Sequence, residues 1–406
     1  MPNCNIIRKL QLSAGPGSHR PAGRGGGRAS AALPILDDVT TSPASRRLAS
    51  ARPALAPKCQ LILARTLRVS AGPVPGTRGM PQPTAGRYRA VFISPHLDDA
   101  IFSCGGTIAR LIKDGPVLVV NVFSRCTEGA RKYALVLGEE RRREEKAAAS
   151  FLRYDVICLE ETDAFLRQGS RRSIGRLFSS PTAADLADLP RITGRLAECL
   201  AAVDSDNLYV PLGVGWHVDH VLCHQAALNL ASGFRGRVFY YEDSPYCFIP
   251  NAVRCRLDEI GHWAEAPLRG SLTREWWESC SHYLRSAVMR HVRPRPVRWA
   301  ASVVVAAYLL GLMRQHRAAE DARSPARCPR LSPQLEDISA QEGLKLDAMM
   351  CYESQFRTLF HGRPDCEELH RNYSRTMNDR DAVFERLWTF SREPASPCRQ
   401  RGPSRH

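Results

Sequence analysis

The sequence contains no C-x-x-C pair, no run of about 20 apolar residues of the length a membrane-spanning helix needs, and only two acids, Asp37 and Asp38, in its first ninety residues. The first absence bears on the fourteen cysteines. They are scattered singly, many inside apolar runs, which excludes a zinc ribbon and favours reduced, buried thiols in a cytosolic protein. The second bears on the uncharged stretch 299–313 (WAASVVVAAYLLGLM), flanked by Arg298 and Arg314. It is short for a crossing and reads either as a buried core or interface helix, or as a peripheral membrane contact through 296–314. The first thirty residues lack the apolar region of a secretory signal. The third absence concerns charge. The formal net charge is +16, but residues 1–90 hold fourteen Lys and Arg, and the tail from 391 holds four Arg and one Glu. The stretch between them is nearly neutral. A nucleic-acid-binding domain carries its basic stripe on the folded surface, so no nucleic-acid partner is expected.

Residues 1–86 are rich in Arg, Ala, Pro, Gly and Ser and read as a disordered basic extension. An organellar transit peptide, or a true start at Met80, are the other readings of that segment. From Arg87 the pattern changes. Short apolar runs at 89–94, 116–123, 154–160, 207–212 and 237–243 read as buried strands. Between them, 99–113, 138–152, 191–203 and 217–231 read as helices, the first despite Gly105 and Gly106. Alternating strands and helices predict an α/β fold, a mostly parallel sheet with helices on both faces. One domain over 87–390 is expected, with a helical insertion near 253–340 and a disordered tail from 391.

Ligands of such sheets bind beyond the carboxyl ends of the strands. Two predicted strand ends, Ser94 and Leu212, run into clusters of chemistry: His96, Asp98 and Asp99 after the first, His217, Asp219 and His220 after the second. A catalytic zinc takes three protein ligands from His and Asp or Glu and keeps a fourth position open. His96 and Asp99 are three apart in a turn, and His217 and His220 share a helix face. A carboxylate beside the ion that does not ligate it can accept a proton from water, and the Asp98–Asp99 pair supplies one carboxylate for each task. Taken singly, either cluster reads equally as a helix cap or a half-buried helix face. Both together, each at a strand end, point to one metal-dependent site.

SPHLDDAIFSCGGTIA together with PLGVGWHVDHVLCHQAA resembles the LmbE-like (PIG-L) family of zinc-dependent de-N-acetylases. Arg141, Glu144, Glu145 and Ala148 match an R-x-x-E-[DE]-x-x-A helix pattern, and YYEDSPY (240–246), KLDAMMCYESQF (345–356) and ERLW (385–388) resemble further landmarks. Leu97 stands where many members have Pro, and Arg153 where Gly is frequent. The resemblance implies a Rossmann-like fold and hydrolysis of an N-acetyl group on an amino sugar, with one Zn2+ per chain. Carried over by position, it implies His96, Asp99 and His220 as zinc ligands and Asp98 as general base and then acid. It also implies His217 as a charged or hydrogen-bonding stabiliser of the oxyanion, with Asp219 orienting it. Arg141, Tyr241, Glu242 and Asp243 are candidate substrate contacts. For Arg141 the competing reading is a solvated helix face, and for the YYEDSPY group it is strand-end packing. The functions that follow are an amidase acting on an N-acylated amino sugar or glycoconjugate, a membrane-associated glycolipid deacetylase, or a metal-dependent glycan-binding protein without hydrolysis.

Overall fold

The computed structural model describes residues 86–125, 138–167, 177–260, 272–285 and 331–390, with three isolated positions between 296 and 307. The extension up to residue 85, the tail from 391 and nearly all of 296–314 lie outside the described residues. Chain order gives β1 (Arg87–Tyr88), β2 (Ala90–Ser94), α1 (Asp99–Leu111), β3 (Val117–Asn121), α2 (Gly138–Leu152), β4 (Asp155–Cys158) and α3 (Ala183–Ala201). Then come β5 (Asp204–Ser205), β6 (Asn207–Pro211), α4 (Val218–Ala231), β7 (Arg237–Tyr241), α5 (Ala252–Glu259) and α6 (Leu272–Arg285). The described part ends with β8 (Leu331–Asp337), α7 (Glu342–Met350), α8 (Glu353–Leu359), α9 (Arg363–Arg375) and β9 (Phe384–Phe390).

The main sheet has seven strands in the order β4-β3-β2-β6-β7-β9-β8. The first five of these are mutually parallel. β9 runs antiparallel to both β7 and β8. β2, β3 and β6 are buried at every residue, which is why their sequences are unbroken apolar runs instead of alternating ones. The chain winds outward in one direction from β2 through β3 to β4, and in the other from β6 to β7. The crevice between the carboxyl ends of β2 and β6 is therefore the topological switch point of the sheet, where ligands of such folds bind.

α1 shows how the sequence fits its surroundings. Cys104 leaves helical geometry (φ −127°, ψ 17°), which frees amide groups just beyond it. Glu385 on β9 accepts them: Gly106 N at 2.9 Å, Thr107 N at 2.8 Å and Thr107 Oγ1 at 2.5 Å, while Lys345 Nζ neutralises the carboxylate at 2.8 Å. A Cβ on Gly106 would stand 2.6 Å from Ile338, so the Gly-Gly pair serves close packing. α3 begins earlier than its periodicity suggests, at a capping box between Thr182 and Asp185, and carries Pro190 inside it. The stretch expected to be a helical insertion up to 340 is helical at α5 and α6, but its end is a sheet strand, β8. Cys104, Cys158, Cys199, Cys223, Cys247, Cys255, Cys351 and Cys366 are free thiols. No described helix is long and apolar enough to cross a membrane.

Candidate active site

The exit from β2 builds one wall. Ser94 Oγ donates to His96 O (2.5 Å) and accepts from Ala100 N (3.0 Å), folding residues 95–99 into a tight turn. Asp98 occupies the N-cap position of α1 but makes no side-chain capping bond. Its Oδ1 instead receives Arg141 Nη2 from α2 at 2.7 Å. Asp99, in the first helical turn, points back into the turn. Its Oδ2 accepts His96 N at 2.8 Å and lies 3.0 Å from His96 Nδ1 and 3.2 Å from His220 Nε2.

The exit from β6 builds the other wall. Gly215 has φ +86°, and a Cβ there would stand 2.4 Å from the Tyr246 ring. Glycine is required on both counts. The loop is fixed by Arg256 Nε on Leu212 O (2.9 Å) and by Trp216 Nε1 on Glu259 Oε2 (2.6 Å). His217 is the N-cap of α4: its Nδ1 accepts from Asp219 N at 3.3 Å. A nitrogen that accepts from an amide carries a lone pair, which leaves the ring proton on Nε2. The His217 ring is edge-on to His96, with centroids 4.9 Å apart, and Phe178 packs on it at 5.3 Å. Tyr246 lies 5.8 Å from His220 and 5.7 Å from Phe178, so two half-buried aromatic rings border the histidines.

The two histidines that face Asp99 are each held from behind. His96 Nε2 is 3.1 Å from Asp219 Oδ2 and 3.4 Å from Asp163 Oδ2. Asp219 is itself fixed by Ala164 N (2.9 Å) and Arg167 Nη2 (2.6 Å). His220 Nδ1 is 2.6 Å from Asp243 Oδ1. Burial raises the Asp98 carboxyl above its ordinary range, although Arg141 works against the shift. Burial alone would also raise Asp99, but His220 and His96 hold it well below the usual carboxylate range. Burial would lower His220, yet Asp99 and Asp243 outweigh it and push the imidazole up to about 9. Burial and then the neighbouring His96 depress His217 well below its ordinary value.

His96, Asp98, Asp99, His217, Asp219 and His220 thus all converge on the switch point. Among the described residues, the donor atoms of His96, His217 and His220, and those of His96, Asp163 and Asp219, lie within 4.8 Å of one another. Asp99 Oδ2 joins His96 and His220 more closely still, and this His, Asp, His set suits a divalent ion with an open position.

Several expectations need correction. Asp219 meets the His217 ring through its amide, not its carboxylate, which is hydrogen-bonded to His96 and acts on His217 only by its charge. Arg141 is not on a solvated face, since its guanidinium pairs with Asp98. Tyr241, Glu242 and Asp243 are turned into the protein, not toward a substrate. Tyr241 donates to Ile93 O at 2.8 Å, Glu242 accepts from Arg386 (2.6 Å), Trp388 (2.8 Å) and Tyr373 (2.5 Å), and Asp243 backs His220. The residues that sequence reasoning passed over are Asp163 and Phe178, whereas Tyr246 is the last residue of the YYEDSPY group. Asp163 follows β4, so the strand-end rule, applied to every strand, would have reached it.

Residues 91–231 match the family described as GlcNAc-PI de-N-acetylase, PIG-L. The 2'-N-acetylparomamine deacetylase of Streptomyces fradiae is 31% identical over 173 residues, covering 41% of this chain and 61% of that protein. Its namesake from Niallia circulans is 31% identical over 187 residues, covering 38% of this chain and 66% of that protein. The chain thus spans less than two thirds of the length of these curated relatives. Among solved structures, a deacetylase–bog complex from the biosynthesis pathway of teicoplanin superposes with a TM-score of 0.51 at 19% identity, over 77% of this chain and 100% of that one. The zinc-inhibited form of teicoplanin deacetylase Orf2 gives a TM-score of 0.50 at 17% identity, over the same shares of the two chains. At these identities the structures attest the fold alone. On the match over 91–231, that part of the chain is a PIG-L (LmbE-like) domain.

Proposed function

We propose that this chain is a zinc-dependent hydrolase that removes an N-acetyl, or another N-acyl, group from an amino sugar or glycoconjugate. The observation that carries the reading is the convergence of His96 Nδ1 and His220 Nε2 on one oxygen of Asp99, with Asp98 beside them on Arg141. His96, Asp99 and His220 would hold the ion. Bound there, it supplies Lewis-acid polarisation of the amide carbonyl and acidification of water.

The remaining work falls to the protein. Asp98, kept basic by burial and oriented by Arg141, takes the proton as the water oxygen bonds to the carbonyl carbon. It then returns that proton to the nitrogen as the C–N bond breaks, which yields a carboxylic acid and a free amine. His217 presents its Nε2–H to the developing oxyanion as a neutral donor. Phe178 and Tyr246 provide the apolar surfaces against which a sugar ring or acyl chain packs. The two N-acetylparomamine deacetylases favour an N-acetylated aminosugar as substrate. The test is a panel of N-acetyl amino sugars incubated with metal-loaded protein, with released amine and acetate quantified across a series of divalent ions and concentrations. Equimolar acetate and amine from at least one sugar supports the reading. Release from none, by folded and metal-loaded protein, removes it.

A further inference from the structure

Asp243 follows β7 by two residues and is fully buried. A buried carboxylate is stable only when its oxygens are met by donors. Asp243 meets three, from two elements. Oδ2 accepts from Gly213 N at 2.7 Å and from Val214 N at 2.8 Å, both in the loop after β6, and Oδ1 faces His220 Nδ1 at 2.6 Å on α4. One side chain therefore ties the end of β7 to the loop that carries His217 and to the histidine that faces Asp99.

We propose that Asp243 is a positioning residue that presents His220 Nε2 to a bound metal ion, by fixing both the ring orientation and the nitrogen that bears the proton. The inference rests on the reading of His96, Asp99 and His220 as ligands. An ionised carboxylate only accepts hydrogen bonds, so Nδ1 carries the proton and the Nε2 lone pair is left for the ion. Asparagine has the same shape and the opposite logic. With its oxygen turned to the two amides, its NH2 group faces Nδ1, which must then accept and push the ring proton onto Nε2, where it blocks the metal. Outer partners of this kind typically contribute 10- to 100-fold in metal affinity.

The experiment compares zinc affinity, by competition with a chromogenic chelator, in wild type, Asp243→Asn and Asp99→Asn, alongside the melting temperature of each metal-free protein. The expected result is a 10- to 100-fold weaker affinity in Asp243→Asn, with the metal-free melting temperature within a few degrees of wild type. Undiminished affinity in Asp243→Asn, where Asp99→Asn has lost it, overturns the positioning role and leaves the ligand set standing. Undiminished affinity in both overturns the ligand set, and the role with it. A wild-type measurement keeps the inference testable should Asp243→Asn not fold. In 113Cd-loaded protein the metal should couple to Nε2 of His220, and coupling at Nδ1 contradicts the proposal.

Discussion

Arg141 Nη2 lies 2.7 Å from Asp98 Oδ1, joining α2 to the turn after β2. The contact orients the carboxylate and lowers a pKa that burial raises. Asp98→Asn should keep metal and lose activity by a factor on the order of 10²–10⁴. Arg141→Ala should leave Asp98 protonated to higher pH, because the opposing charge is gone while the burial remains. The acid limb of the kcat/KM profile should then move upward in pH. An acid limb that stays in place, or moves down, would show that Arg141 does not act through Asp98.

The proposed ligand set is separable from its neighbours by substitution. Asp99→Asn should lose most of the bound metal, whereas Asp163→Asn should retain it, although both carboxylates lie near His96. The reverse pattern would place the ion on the Nε2 side of His96, among Asp163 and Asp219.

His217 is buried, depressed in pKa and accepts from the Asp219 amide, so its proposed role is that of a neutral donor. His217→Ala should bind zinc normally and lower turnover by roughly 10²–10³, as removal of an oxyanion donor does. The alkaline limb of the pH–rate profile should be unchanged, since a neutral donor has nothing to lose there. Disappearance of that limb in the variant would mean that His217 works as an imidazolium.

His370 on α9 gives a prediction for stability. Burial, reinforced by Lys345, lowers it to about 3 from 6.5, and its Nδ1 donates to Cys366 O at 2.8 Å. The folded chain keeps it neutral while the unfolded chain protonates it below pH 6.5, so the unfolded state binds more protons and stability is lost as the pH is lowered through that window. The slope from one such group is up to about 1.4 kcal/mol per pH unit. Urea midpoints measured from pH 7.5 down to 5 should drop more steeply in wild type than in His370→Gln. Parallel curves would show that His370 does not carry the acid sensitivity.

Much of the sheet was legible because β2, β3 and β6 are buried at every residue, and β4 and β7 over their last three, with mostly apolar side chains. β8 and β9 were not, since LSPQLED and FERLWTF are only partly buried and β8 contains Pro333 at the sheet edge. The site's membership was readable from the two strand ends, but its wiring was not. His217 and Asp219 are neighbours in sequence, yet residues two apart on a helix do not face each other, so the carboxylate turns to His96. Asp243 meets partners twenty or more positions away, a relation that no local spacing encodes.

The central claim, metal-dependent deacylation on Asp98 and the His96, Asp99 and His220 site, is tested most directly by acetate release from an N-acetylated aminosugar before and after chelation. The account predicts that chelation abolishes release, that added divalent ion restores it in wild type, and that metal-loaded Asp98→Asn stays inactive. Release that persists in the chelated protein, or that survives undiminished in Asp98→Asn, would contradict it.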